Sequence, residues 1–201
     1  MLHLSISPQE YYNENKCVFY YAFPWAPNKE VSKSDSFDVQ MEHSLFSLSR
    51  WEEKWKVPFL SKETEKNIEQ TLDYIRCMTI TRNIPNGFYE SLSQSQVNQI
   101  TEYITDSHTA TWFSENDPDP TKKGGKPQVI TAEIIYYWMI AQQIPWDPCE
   151  KWHLNKLLTL IRVCSIKNTP PKKKSKQEAN EDFRRAKAAR RAATRAKAKK
   201  P

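Results

Sequence analysis

Apolar positions change their spacing along the chain, and each change marks a different kind of element. Cys17-Val18-Phe19-Tyr20-Tyr21-Ala22-Phe23 is an unbroken aromatic and β-prone run that stops at Pro24, with Pro27 and Asn28 behind it. It predicts one strand and a turn. Residues 32–36 are polar and predict a loop. Phe37, Val39 and Met41 alternate with polar residues, the period of a half-buried strand. Residues 43–49 alternate less cleanly, because Leu45 and Phe46 are adjacent and Leu48 follows. A further strand is expected there.

From Ser61 the period becomes helical. Ser61 is positioned to cap, Glu63 and Glu65 fall near the first turn, and Ile68, Leu72 and Ile75 recur at steps of four and three. This predicts a helix to about Met78. Pro85-Asn86-Gly87 predicts a turn, since Pro fixes φ and Asn-Gly tolerates positive φ. Ser93 with Gln96 is a capping-box pattern opening a second helix, with Val97, Ile100 and Ile104 on one face. Residues 114–128 hold three Pro and two Gly among charged residues and predict an exposed loop. It separates residues 109–113 from Val129 and Ile130, which are expected to pair as a small hairpin. Thr131 is expected to cap a third helix to Gln143, burying Ile134, Ile135, Trp138 and Met139. Asp147, Pro148 and Glu150 predict the start of a fourth, carrying Leu154, Leu157, Leu158, Ile161 and Cys164 and ending at Pro170 and Pro171.

Charge divides the chain unequally. Lys and Arg total 30 against 24 Asp and Glu, a net of +6. Residues 172–201 hold 13 of the bases and three acids, a net of +10, which leaves 17 bases and 21 acids before them, a net of −4. The tail is rich in Ala, Lys and Arg with Phe183 as its one large apolar anchor, so it is expected to be disordered or a lone helix. Lys172, Lys173, Lys174, Arg184, Arg185, Arg190, Arg191 and Arg195 suit two roles. One is a non-specific electrostatic arm for nucleic acid. The other is an arm for an acidic protein partner, or a solubilising extension.

Candidate chemistry is sparse. The three glycines, Gly87, Gly124 and Gly125, build neither a dinucleotide nor a P-loop motif. Apolar stretches fall well short of a membrane span, and residues 1–8 lack the features of a secretory signal, so no membrane role is expected and the thiols are expected to be reduced. Cys149 and His153 stand four apart, the spacing of a nucleophile pair or half a zinc site, with Cys149 in a first helical turn that would lower its thiol pKa. No second pair matches them, and ordinary packing is the stronger reading. His3, His43 and His108 have no metal-ligand spacing, and Glu102, Glu133 and Glu150 sit where capping or solubility explains a carboxylate. No enzyme activity, metal or small cofactor is expected.

The aromatic cluster at 50–60 says more. Trp51 and Trp55 are four apart on one face of a short helix, and Pro58, Phe59 and Leu60 follow. They form either a cap over the helical core or a partner groove with Trp and Arg anchors. The segments Leu48-Ser49-Arg50-Trp51-Glu52-Glu53-Lys54-Trp55, Pro58-Phe59-Leu60, Leu72-Asp73-Tyr74-Ile75-Arg76-Cys77-Met78 and Thr109-Ala110-Thr111-Trp112-Phe113 come in a recognisable order. Ile130-Thr131-Ala132-Glu133-Ile134-Ile135-Tyr136-Tyr137-Trp138-Met139, Trp152-His153-Leu154-Asn155-Lys156-Leu157, Leu160-Ile161-Arg162-Val163-Cys164 and the Lys/Arg-rich end continue it. From about Leu45 to the C-terminus the chain resembles siphophage tail assembly chaperones, or the virion proteins encoded beside them in tailed-phage morphogenesis modules.

The resemblance implies a non-enzymatic role in tail morphogenesis. The partners would be the long helical tape measure protein and the tail tube protein, in the host cytoplasm during phage assembly. The exposed-aromatic candidates for that contact are Trp51, Trp55, Phe59, Trp112 and Trp146, with Arg50 beside them. Two alternatives stay open: a minor head–tail or tail component of the virion, and a nucleic-acid-binding accessory protein acting through the tail. Self-association is open as well. The expected fold is α+β and mainly helical: short β-strands over 1–44, about four helices in a body over 45–169, and a flexible basic extension over 170–201.

Overall fold

A computed structural model of the chain describes residues 1–61, 65–113 and 129–168, together with Arg184 and Lys187. The fold is α+β. The chain divides into two units, Met1–Ile166 and Lys167–Pro201. In the second unit Arg184 and Lys187 have helical backbone and exposed side chains. The rest of the basic tail and the 114–128 segment lie outside the described residues, as do Pro170 and Pro171. Among the described residues no helix is long and apolar enough to cross a membrane.

Four strands form two antiparallel ribbons. β1 (Leu2–Ile6) pairs with β4 (Phe37–Met41), placing Leu4 opposite Val39 and Leu2 opposite Met41. Both strands bury alternate residues, so Leu4, Ile6, Val39 and Met41 face the core. The expected 37–41 strand is therefore present. β1 carries an equally plain alternation at Leu2, Leu4 and Ile6. β2 (Gln9–Asn13) and β3 (Val18–Ala22) form a hairpin in which Tyr11 stacks on Tyr20 at 5.9 Å and Tyr12 meets Phe19 at 5.0 Å.

The segment expected as a strand over 43–49 is instead the start of α1 (Leu45–Trp55). Ser44 and Ser47 close a reciprocal capping box. Leu45, Leu48 and Trp51 recur every three residues and all are fully buried. The cap and this period outweigh the partial alternation.

α2 (Ile68–Met78) begins later than Ser61, because Asn67 and Gln70 supply a reciprocal cap of their own. Gly87 takes φ +79° at the expected turn, which leads into a 3-10 turn over Tyr89–Ser91. α3 (Gln94–Thr105) opens at the expected Ser93–Gln96 box. α4 (Ala132–Ala141) starts after Thr131 and stops short of Gln143, which adopts φ +56°.

No strand forms at 109–113 or at Val129 and Ile130, so the expected hairpin is overturned. Phe113 lies under the Arg162 guanidinium at 4.0 Å. The fourth predicted helix is also divided. α5 is a single turn, Trp146–Cys149, containing the extended residue Asp147. α6 (Leu154–Asn168) starts afresh, because the Leu154 N–H donates to the His43 carbonyl at 2.7 Å and His153 bridges to Ser44. That pairing draws the 150–153 segment beside the end of β4. Among the described residues there are thus six α-helices rather than about four. One core cluster joins Leu4, Val39 and Met41 to Leu48, Trp51, Ile75, Ile100, Ile135, Met139, Leu154 and Leu157.

Candidate functional site

The aromatic cluster at 50–60 faces inward. Trp51 is fully buried, which corrects its placement among exposed partner anchors. Its indole N–H donates to the Gln70 carbonyl at 2.9 Å, tying α1 to α2. Trp55 is partly buried and donates to Asp73 Oδ2 at 2.8 Å, while Lys54 Nζ donates to Oδ1 at 2.5 Å. Burial pushes the Asp73 carboxyl up, but these two donors outweigh it and hold it below the usual range. Phe59 stacks on the buried ring of Tyr74 at 3.9 Å. Glu52 is the hub. Its Oε1 accepts from the Phe59 N–H and its Oε2 from the Ala132 N–H, both at 2.7 Å. Thr131 occupies the N-cap of α4 but makes no side-chain bond to the helix backbone, and Glu52 supplies the acceptor instead. Burial raises the Glu52 pKa against the pull of both N–H donors. These motif residues clamp three helices together.

Three histidines that are far apart in sequence meet near the N-terminus. His43 and His153 lie 5.2 Å apart between ring centres, and His108 and His153 lie 3.9 Å apart. His43 shares a 2.5 Å hydrogen bond with the Tyr74 hydroxyl. His153 Nε2–H donates to the Tyr103 carbonyl at 3.0 Å, and its Nδ1 accepts from the Asn155 N–H at 3.3 Å. That pattern is satisfied by neutral imidazole. Burial first, and then the neighbouring histidines, lower the His43 pKa to about 3; burial also lowers that of His153. Among the described residues no group of three His, Cys, Asp or Glu is arranged to hold a metal. Cys149 is buried, and its thiol is pushed up by burial and by Asp147, opposite to the helix-end effect expected for it. Among the described residues no hydrogen bond joins Cys149 to His153.

What remains uncovered is apolar surface. α4 is apolar around its whole circumference apart from Glu133. Its inner face buries Ala132, Ile135 and Met139, while Tyr137 is 65% exposed and Ile140 61% exposed. Trp146 is 52% exposed and packs on Tyr136 at 5.0 Å, adding its ring to the apolar surface of α4. The Tyr136 hydroxyl donates to Glu150 Oε2 at 3.0 Å, fixing the two segments against each other. Trp112 is 83% exposed. Of the expected aromatic anchors, then, Trp112 and Trp146 reach solvent, whereas Trp51 does not and Trp55 and Phe59 are engaged within the fold. Tyr137 and Ile140 are new to the candidate surface. The sequence signal for them was the run from Ala132 to Ala141, too apolar all round for one buried face.

Arg50 lies elsewhere, on a separate groove of about 430 Å³. Met1, Phe46, Cys77, Met78 and Ile80 supply its apolar lining, and Glu42 and Lys151 line it as well. The Arg50 guanidinium sits 5.8 Å from the centre of the Phe46 ring. Of the expected basic-tail residues, Arg184 is exposed. Lys172, Lys173, Lys174, Arg185, Arg190, Arg191 and Arg195 lie outside the described residues. No protein-family model matches the chain, and neither a curated protein nor a solved structure is significantly similar to it.

Proposed function

We propose that this protein is a non-enzymatic chaperone of phage tail assembly that holds the tape measure protein through apolar contacts until tail tube subunits replace it. The observation that carries this reading is the uncovered apolar surface of α4, where Tyr137 and Ile140 are exposed three residues apart and the exposed Trp146 packs beside Tyr136. Such a strip suits the apolar face of an amphipathic client helix, read at three- and four-residue steps. An exposed apolar patch on a well-packed body marks a contact surface. The order of motifs resembling tail chaperones supports the same assignment. Individual contacts would be weak and would gain strength from many copies along one long client.

The test is co-expression with a tape measure protein from the same source. Wild type is expected to raise client solubility and to co-purify with it, and a Tyr137→Ser/Ile140→Ser/Trp146→Ser variant to do neither. No rescue by wild type would refute the chaperone role. Mass spectrometry of finished particles separates it from the virion-component alternative, in which the protein stays in the mature tail. The nucleic-acid alternative rests on the net +10 of residues 172–201.

A further inference from the structure

The groove beside Arg50 has a charge asymmetry that its own fold does not resolve. Glu42, its acidic lining residue, is already engaged: Oε2 is 2.9 Å from the Met1 amino group, and Oε1 accepts from the Tyr103 hydroxyl at 2.6 Å. Lys151, which also lines the groove, pairs with the exposed Asp147 at 2.6 Å. Arg50 is exposed and has no carboxylate partner among the described residues. This happens although residues 1–171 hold 21 acids against 17 bases. Next to the open guanidinium lie Phe46, 46% exposed, and Ile80, 48% exposed.

We infer that this groove is a second docking site, separate from the α4 strip, for a polypeptide segment that places an apolar side chain against Phe46 and Ile80 and an adjacent carboxylate on Arg50. The guanidinium offers a planar fork of donors that matches a carboxylate with two hydrogen bonds. The apolar floor excludes water from one side of that pair and strengthens it. Charge therefore selects the occupant: acidic amphipathic segments fit, and basic ones are repelled. The inference rests on the reading that the protein docks client helices, and it adds the chemistry of a second contact.

The experiment uses the full-length protein and three labelled amphipathic peptides with the same Leu anchors, flanked by Glu, Gln or Lys, read by fluorescence anisotropy. Wild type is expected to bind the Glu peptide about tenfold tighter than the Lys peptide. Arg50→Gln is expected to abolish that preference, Arg50→Glu to reverse it, and the uncharged Ile80→Ser to weaken all three peptides. Arg50 is exposed, so its variants are expected to keep the wild-type circular dichroism spectrum. Equal binding of the Glu and Lys peptides, or a preference that survives Arg50→Glu, would overturn the site. Rescue of the tape measure protein without any peptide charge preference removes the groove and leaves the chaperone role. A preference lost on Arg50→Gln without client rescue does the reverse.

Discussion

Glu52 shows how one side chain can organise this fold. Its two oxygens accept from backbone N–H groups of the 56–60 turn and of α4. Glu52→Ala leaves two donors unpaired in the interior and is expected to destabilise by about 2–4 kcal/mol, read by chemical denaturation. Glu52→Gln, which keeps one acceptor oxygen, is expected to cost less. His43 sets a second residue-scale expectation. It is enclosed by Tyr74, His153 and His108, with Glu42 next to it in the chain, and its pKa falls from 6.5 to about 3. The unfolded chain therefore binds the proton more readily than the fold does. Stability is complete above pH 6.5 and is lost as pH falls from there toward 3, by an amount on the order of 4 kcal/mol. An acid titration of unfolding free energy checks this, and His43→Gln is expected to flatten the slope in that window. The sequence could not show this cluster, because residues 43, 108 and 153 meet only through tertiary packing.

At the scale of elements, capping chemistry was the most legible feature. The Ser93–Gln96 box placed α3, and the same chemistry at Ser44–Ser47 and Asn67–Gln70 determines where α1 and α2 begin. α1 was misread because Leu45, Phe46 and Leu48 mimic a broken alternation, while the decisive spacing to Trp51 lies further on. The division between α5 and α6 was invisible locally, since it depends on the His43 carbonyl. Aromatic residues stand out in the sequence, but which of them point inward was not legible from spacing alone. Burial separates them energetically. Trp51→Ala is expected to cost about 3–5 kcal/mol, as for a large core aromatic. Trp112→Ala, at an 83% exposed position, is expected to stay within about 0.5 kcal/mol. Thermal unfolding of the two variants side by side checks the contrast.

Across the whole molecule, a net −4 over residues 1–171 is followed by a net +10 over residues 172–201, so the proposed contacts differ in how they should respond to salt. Nucleic-acid binding through residues 172–201 would show log affinity falling linearly with log salt and would vanish when those residues are deleted. Binding to the tape measure protein through the α4 strip is expected to survive that deletion and to depend little on salt, because Tyr137, Ile140 and Trp146 carry no charge. Both proteins can be co-expressed, with the soluble client quantified for wild type and for Tyr137→Ser/Ile140→Ser/Trp146→Ser at matched expression and matched thermal stability. Soluble, co-purifying client with wild type and its loss with the triple variant is the expected result. Equal amounts of soluble client with both proteins, or none with either, would contradict a role for this apolar face in tail assembly.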